Sequence, residues 1–257
     1  MKSRGEAARG RGRAPVIFPD PLVPGRLVRR YKRFLADVVL DDGQSVIAHV
    51  ANSGSMRTVC EEGARVWLSP ARTPGRALAW TWEIIELGQA RVGVNTATPN
   101  RVVAEALAAG QIPALAGYSR VRREVPYAGR SRIDLLLEDD HRPACYVEIK
   151  NVTMKAGDAP EGVVAFPDAV TARGAKHVAD LATMVREGAR AVLVYVVQRT
   201  DGDRVRVADE IDPAYGRAFD QARAAGVEVV CLGCDVDSQQ GIRVNRTLSL
   251  VRPSLSS

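Results

Sequence analysis

The sequence is short of cysteine, histidine, aromatic residues and long apolar runs, and each shortage closes off a class of protein. No apolar run approaches the roughly 20 residues that span a bilayer. The Arg- and Gly-rich N-terminus also lacks the apolar stretch of a signal peptide. A cytoplasmic protein with no membrane partner is therefore expected. The four cysteines, Cys60, Cys145, Cys231 and Cys234, are scattered, so a disulfide framework is not expected. Cys231-Leu232-Gly233-Cys234 forms a CxxC, but structural zinc needs a second ligand pair, and His49, His141 and His177 stand at no ligand spacing. Two small apolar residues at a strand end account for the pair. Positive charge is thin in the body of the chain as well: of the formal +6, residues 1–14 supply +4, five basic residues against Glu6. Nucleic-acid binding by the folded body must therefore be argued from local clusters.

Residues 1–14 cannot bury enough apolar surface to order and read as a disordered basic tail. From Arg26 to Val94 the pattern is short strands between turn signals, with segments at Leu27–Leu40, Ser45–Ala51, Ala64–Leu68, Leu78–Leu87 and Ala90–Val94. Asp41-Asp42-Gly43 and Glu61-Glu62-Gly63 mark tight turns. Five short strands in about 70 residues predict a small barrel of the OB type. Its first strand carries Arg29, Arg30, Tyr31, Lys32, Arg33 and Phe34, four cations with rings interleaved, as a groove for phosphates and stacked bases requires. A solvated strand start with two core rings reads equally well.

After Asn95 the periodicity changes. A helix is predicted over Asn100–Ala109, with Thr98 as N-cap and Gly110 at its end. A strand follows near Ser119–Pro126, then two apolar segments within Ser131–Thr153 joined by a polar turn at Glu138–Pro143. Met154–Pro167 reads as a loop. A helix over Ala169–Arg186 with Asp168 as N-cap, an interior strand Ala189–Val197, a helix Pro213–Ala225 and a strand Val227–Leu232 complete a mixed-sheet α/β unit.

The chemistry concentrates in Ser131–Thr153. Residues two apart on a strand share a face, so Glu148 and Lys150 project together. If the two segments pair as a hairpin, Asp134 lies opposite the Glu148 region. Two carboxylates and a lysine on one face suit a divalent cation and an attacking water. Phosphodiester hydrolysis follows as the expected chemistry: Asp134, Glu148 and the Ile149 carbonyl hold Mg²⁺ or Mn²⁺, Lys150 positions water and stabilises charge, and Glu105 approaches from the preceding helix. Arg120, Arg122, Arg123, Arg130 and Arg132 flank the site and are placed to hold a polyanion, or else form a solvated face. An ion pair between Lys150 and one carboxylate explains the same spacing, and spacing alone does not choose.

Seven segments taken in order carry a resemblance: RYKRFLADV at 30–38, NSGSM at 52–56, TWE at 81–83, VNTATPNR at 94–101, SRIDLLL at 131–137, CYVEIKNVT at 145–153 and FPDAVTARGAKHV at 166–178. With these the chain resembles the sugar fermentation stimulation protein A family from about Leu22 to Val251. The resemblance implies an OB-like domain over 15–94 and, over 95–257, a mixed-sheet domain similar to the PD-(D/E)XK nuclease fold. Asp134, Glu148 and Lys150 match the nuclease pattern position by position, and Glu105 matches a helix acid of the family. It further implies DNA binding and a regulatory role in maltose and other sugar metabolism. Asp168, Thr171, Arg173, Lys176 and His177 form a polar face at the start of their helix, and Arg173 and Lys176 join the expected nucleic-acid contacts. The alternatives are a DNA-binding regulator whose nuclease-like domain is inactive, and a carbohydrate-binding module. Other nucleic acids and a homodimer are left open. The tail and the Cys231/Cys234 pair lie outside the family pattern.

Overall fold

The computed structural model describes residues 18–129, 131–157 and 160–251. The basic tail and Arg130 thus lie outside the described residues.

The first unit contains β1 (Val23–Tyr31), β2 (Leu35–Leu40), β3 (Ser45–His49), β4 (Arg65–Pro70), β5 (Trp80–Leu87) and β6 (Ala90–Gly93). Their sheet order is β3-β2-β1-β4-β5-β6, and a parallel pairing of β3 with β5 closes β1 to β5 into a five-stranded barrel. Alternation fills it: Leu27, Val38, Ala48, Val66 and Trp82 point inward and are buried. The expected single strand Leu27–Leu40 is instead a hairpin. Lys32 and Arg33 take φ of 45° and 64°, and Tyr31 pairs with Leu35. L-residues rarely adopt this left-handed turn, and no Gly or Asn stands there to signal it. The basic cluster therefore lies along a strand end and a protruding turn.

The second unit runs α1 (Thr98–Ala108), a 3-10 turn (Pro113–Leu115), β7 (Arg120–Tyr127), β8 (Ser131–Asp139), β9 (Arg142–Val152), β10 (Met154–Lys155), β11 (Val163–Phe166), α2 (Ala172–Arg186), β12 (Arg190–Val197), β13 (Arg204–Val207), α3 (Pro213–Ala224), β14 (Glu228–Asp237) and β15 (Gly241–Val251). The nine strands order as β10-β11-β13-β15-β14-β12-β9-β8-β7. Strand β12 explains the layering. Val192, Val194 and Val196 pack toward Val102, Val103 and Ala106 of α1, whereas Leu193, Tyr195 and Val197 pack toward Leu181 of α2 and Phe219 of α3. A strand buried on both faces reads as apolar throughout. The expected mixed α/β class, an OB barrel followed by a mixed sheet with helices, is what the chain adopts.

Several boundaries differ from expectation. Met154–Pro167 is not all loop: Val163, Val164 and Ala165 are buried in β11, which pairs in parallel with β13. Its four residues between glycine and proline were too short to show a period. The segments β13 and β15 carry little sequence signal of their own, because Arg204-Val205-Arg206-Val207 is brief and β15 alternates Ile242 and Val244 with Arg243 and Asn245. Helix α1 starts at Thr98, with Ala97 rather than Thr98 at the cap and no capping side chain. Helix α2 starts at Ala172, and Thr171 caps it by accepting the Gly174 N–H. Asp168 has a different task. Its carboxylate accepts the Met56 N–H at 3.1 Å and its carbonyl accepts the Ser55 hydroxyl at 2.6 Å, which fastens the barrel to the second unit. Cys231 and Cys234 are buried free thiols within β14, both pushed up to about 12 by burial, as apolar fillers would be.

Candidate active site

The β8–β9 hairpin builds the site. Its ladder pairs Leu137 with Cys145, Leu136 with Tyr146 and Leu135 with Val147, so the next step sets Asp134 across from Glu148. There the ladder stops and the Asp134 carboxylate takes over: Oδ2 accepts the Ile149 N–H at 2.7 Å, satisfying a backbone donor at the strand divergence. Oδ1 accepts Asn100 Nδ2 of α1 at 2.8 Å. Burial, then the charge of Glu148, lift Asp134 to about 6 against these two donors.

Glu148 is 3% exposed. Its Oε1 accepts Lys150 Nζ at 2.6 Å and pairs with His177 Nδ1 at 2.6 Å. Arg173 Nε–H donates to His177 Nε2 at 3.3 Å, which makes Nε2 the bare acceptor and leaves the proton on Nδ1 to donate to Glu148. Burial alone would lift Glu148, but His177 and Lys150 hold it below the ordinary glutamate range. The second oxygen, Oε2, is buried with no hydrogen-bond partner among the described residues. The Tyr127 hydroxyl is also buried and, among the described residues, unpartnered, and its proton is tightened first by burial and then by the charge of Glu148.

Lys150 opens onto a cleft of about 460 Å³ between the two units, shared by Arg33 of the β1–β2 turn, Ser53, Asn151, Asp168 and Thr171. The expected shared face of Glu148 and Lys150 is thus present, and so is the Lys150–carboxylate ion pair. Glu105 stands five residues beyond Asn100, about 140° around the helix, and among the described residues no hydrogen bond or ion pair ties it to Asp134 or Glu148. Asn100 is the α1 side chain that reaches the site. Neither it nor the Glu148–His177 bond was legible as such, although the four-residue spacing of Arg173 and His177 was.

The basic residues divide by task. Arg29 is exposed, pairs with Asp37 at 2.8 Å and lies over the Tyr31 ring at 5.0 Å. Arg30 turns inward and donates to the carbonyls of Arg33, Asn52, Gly54 and Ser55 at 3.0–3.1 Å. Lys32 and Arg33 stand exposed on the turn beside Phe34, which is 44% exposed. Arg132 donates to the Glu124 carbonyl, and Lys176 is held by Ser131 and Asp180. Arg120 and Arg122 pair with Asp140 and Glu138.

Among the described residues, no set of three or more His, Cys, Asp or Glu side chains converges to hold a metal. Two carboxylates, one with an unpartnered buried oxygen, fit a hard, oxygen-seeking cation of the Mg²⁺ type.

Comparison with known proteins agrees with this architecture. Residues 28–94 match the SfsA N-terminal OB domain, and residues 97–240 match the sugar fermentation stimulation protein RE domain. A sugar fermentation stimulation protein homolog of Rhodospirillum rubrum is 60% identical over 93% of this chain and 100% of its own length. The homolog of Azorhizobium caulinodans is 56% identical over 91% and 99% respectively. Among solved structures, Pyrococcus furiosus SfsA in complex with Ca²⁺ superposes with a TM-score of 0.82 at 23% identity, covering 92% of this chain and 99% of that one. With both halves matched in order along nearly the whole chain, the protein belongs to the sugar fermentation stimulation protein (SfsA) family.

Proposed function

We propose that the chain binds nucleic acid, DNA first among them, across the barrel and the inter-unit cleft, and hydrolyses phosphodiesters at Asp134, Glu148 and Lys150 with Mg²⁺ or Mn²⁺. One observation carries this reading: two carboxylates face each other in a nearly dry site, one of them pushed to about 6 and the other holding a buried oxygen without a partner. Such a pair is costly as it stands and is relieved by a cation between its members. Pyrococcus furiosus SfsA was solved with Ca²⁺, an ion of the same hard, oxygen-seeking class.

When bound, the metal supplies Lewis-acid polarisation of the phosphate and a more acidic water. The residues do the rest. Asp134 is aimed by Asn100 and the Ile149 N–H, and Glu148 by His177. Lys150, 12% exposed and at the cleft, offers its ammonium to the developing charge once it leaves Glu148. Lys32, Arg33 and Arg173 present cations to the strand, and Tyr31 and Phe34 present rings to its bases. Arg30 contributes indirectly, by shaping the 52–55 loop.

The test is incubation of the purified chain with Mg²⁺ or Mn²⁺ and single-stranded, duplex and structured nucleic acids. Cleavage is expected, and Asp134→Ala, Glu148→Ala and Lys150→Ala each abolish it. No cleavage of any substrate, or cleavage indifferent to all three changes, removes the enzyme. Salt-sensitive binding without cleavage leaves a DNA-binding regulator.

A further inference from the structure

A second cleft, of about 360 Å³, shares no lining residue with the Lys150 cleft and plays no part in the chemistry above. It lies where the β4–β5 loop of the barrel meets the first turn of α1. In OB barrels this loop is one of the two that contact ligands. Its floor is Glu83, which is 7% exposed and accepts the Ser69 hydroxyl at 2.6 Å and Asn95 Nδ2 at 2.9 Å. Each carboxylate oxygen has a lone pair left to accept a further donor. Beside it stands His49, held below its ordinary range by burial and by the charge of Arg76, with its Nδ1 buried and, among the described residues, unpartnered. An unpaired buried ring nitrogen is a standing cost that a ligand can remove.

Three guanidinium groups ring the mouth. Arg72 pairs with Asp20 at 3.4 Å, Arg76 spends one N–H on the Thr81 hydroxyl at 3.1 Å, and Arg101 is exposed, with no ion pair among the described residues. The charges of Arg101 and Arg76 both act on Glu83, so cations and buried carboxyl belong to one site. A ligand that satisfies the whole cleft has an anionic group at one end and, at the other, a planar ring edge with N–H donors for Glu83 and a partner for His49. A sugar offers no anion, and inorganic phosphate offers no ring.

We propose that this cleft binds a nucleoside monophosphate, the phosphate on Arg76 and Arg101 and the base edge on Glu83 and His49. Whether the nucleotide is free or is the phosphorylated end of a strand, the chemistry at the cleft is the same. Arg101 is the next residue after Asn100, whose amide donates to Asp134, so the first turns of α1 carry one contact of each site.

Titration calorimetry on the full chain in EDTA tests the assignment, using the common ribo- and deoxyribonucleoside monophosphates, inorganic phosphate and a 5′-phosphorylated oligonucleotide. At least one monophosphate is expected to bind at least tenfold more tightly than phosphate. Arg101→Ala weakens it at least tenfold with an unchanged melting temperature, because that side chain is exposed, and Arg76→Ala weakens it to a similar degree. Lys150→Ala leaves the affinity unchanged. Competition by the oligonucleotide identifies a strand end as the occupant, and its failure identifies the free nucleotide. The site is overturned if no monophosphate binds, if phosphate binds as tightly, or if the loss follows Lys150→Ala instead of Arg101→Ala.

Discussion

Replacing Asp134 by Asn should make the metal-free protein more stable at neutral pH. The folded-state value of about 6 lies above the ordinary aspartate value of 3.8, so the folded chain holds the proton more tightly than the unfolded one. Below pH 3.8 both states are protonated and the site is neutral in its effect. Stability then falls as pH rises through the window from 3.8 to 6, and above it the ionised carboxylate costs about 3 kcal/mol at roughly 1.4 kcal/mol per pH unit. The amide is nearly isosteric. It keeps the Ile149 N–H as a donor to its oxygen, while Asn100 must turn its own amide over, a loss of about 1 kcal/mol. A net gain of about 2 kcal/mol raises the melting temperature by about 4–8 °C in a chain of this size. The assay is thermal unfolding in EDTA at pH 7.5 and at pH 4.5. The variant should melt higher at pH 7.5, and the difference should shrink or reverse at pH 4.5. A variant less stable than the parent at pH 7.5, or a difference that ignores pH, would refute the burial argument.

Other perturbations separate the roles assigned above. Arg30→Ala should destabilise the chain by about 2 kcal/mol in urea unfolding, since four carbonyl contacts lose their donor. Arg33→Ala should leave stability within about 0.5 kcal/mol while lowering nucleic-acid affinity and the slope of its salt dependence, read by fluorescence anisotropy over a salt series. Gly54→Ala should cost about 1–3 kcal/mol and loosen the barrel from the second unit, because the added Cβ meets the Asp168 carboxylate, and limited proteolysis between the units reports it. His177→Ala should cost about 2 kcal/mol by stripping a short bond from a buried carboxylate, again measured by urea unfolding.

Most of the architecture was written in periodicity. The apolar run at 191–197, the hairpin around 138–143 and the end of α1 at Gly110 emerge where the sequence placed them. What escaped is what tertiary contacts decide. The turn at Lys32–Arg33 uses left-handed backbone without glycine, and the short segments β11 and β13 are strands because they pair with each other and with β10 and β15. The site shows the same division. Spacing put Glu148 and Lys150 on one face and Asp134 across from them, because a strand repeats every two residues. Asn100 and His177 reach those carboxylates from helices, and nothing local in sequence says toward which face of the sheet a helix turns. Arg30 reads as a phosphate ligand among four cations, yet the hairpin turns it inward while Lys32 and Arg33 stay out.

The most direct measurement is the anomalous scattering of Mn²⁺ soaked into crystals of the full chain. The proposed chemistry requires a peak between Asp134 and Glu148, with Lys150 displaced from Glu148 Oε1 and the peak absent in Glu148→Gln. Crystals that diffract well in saturating Mn²⁺ and show no peak there, with Lys150 still on Glu148, would contradict a metal site at this hairpin.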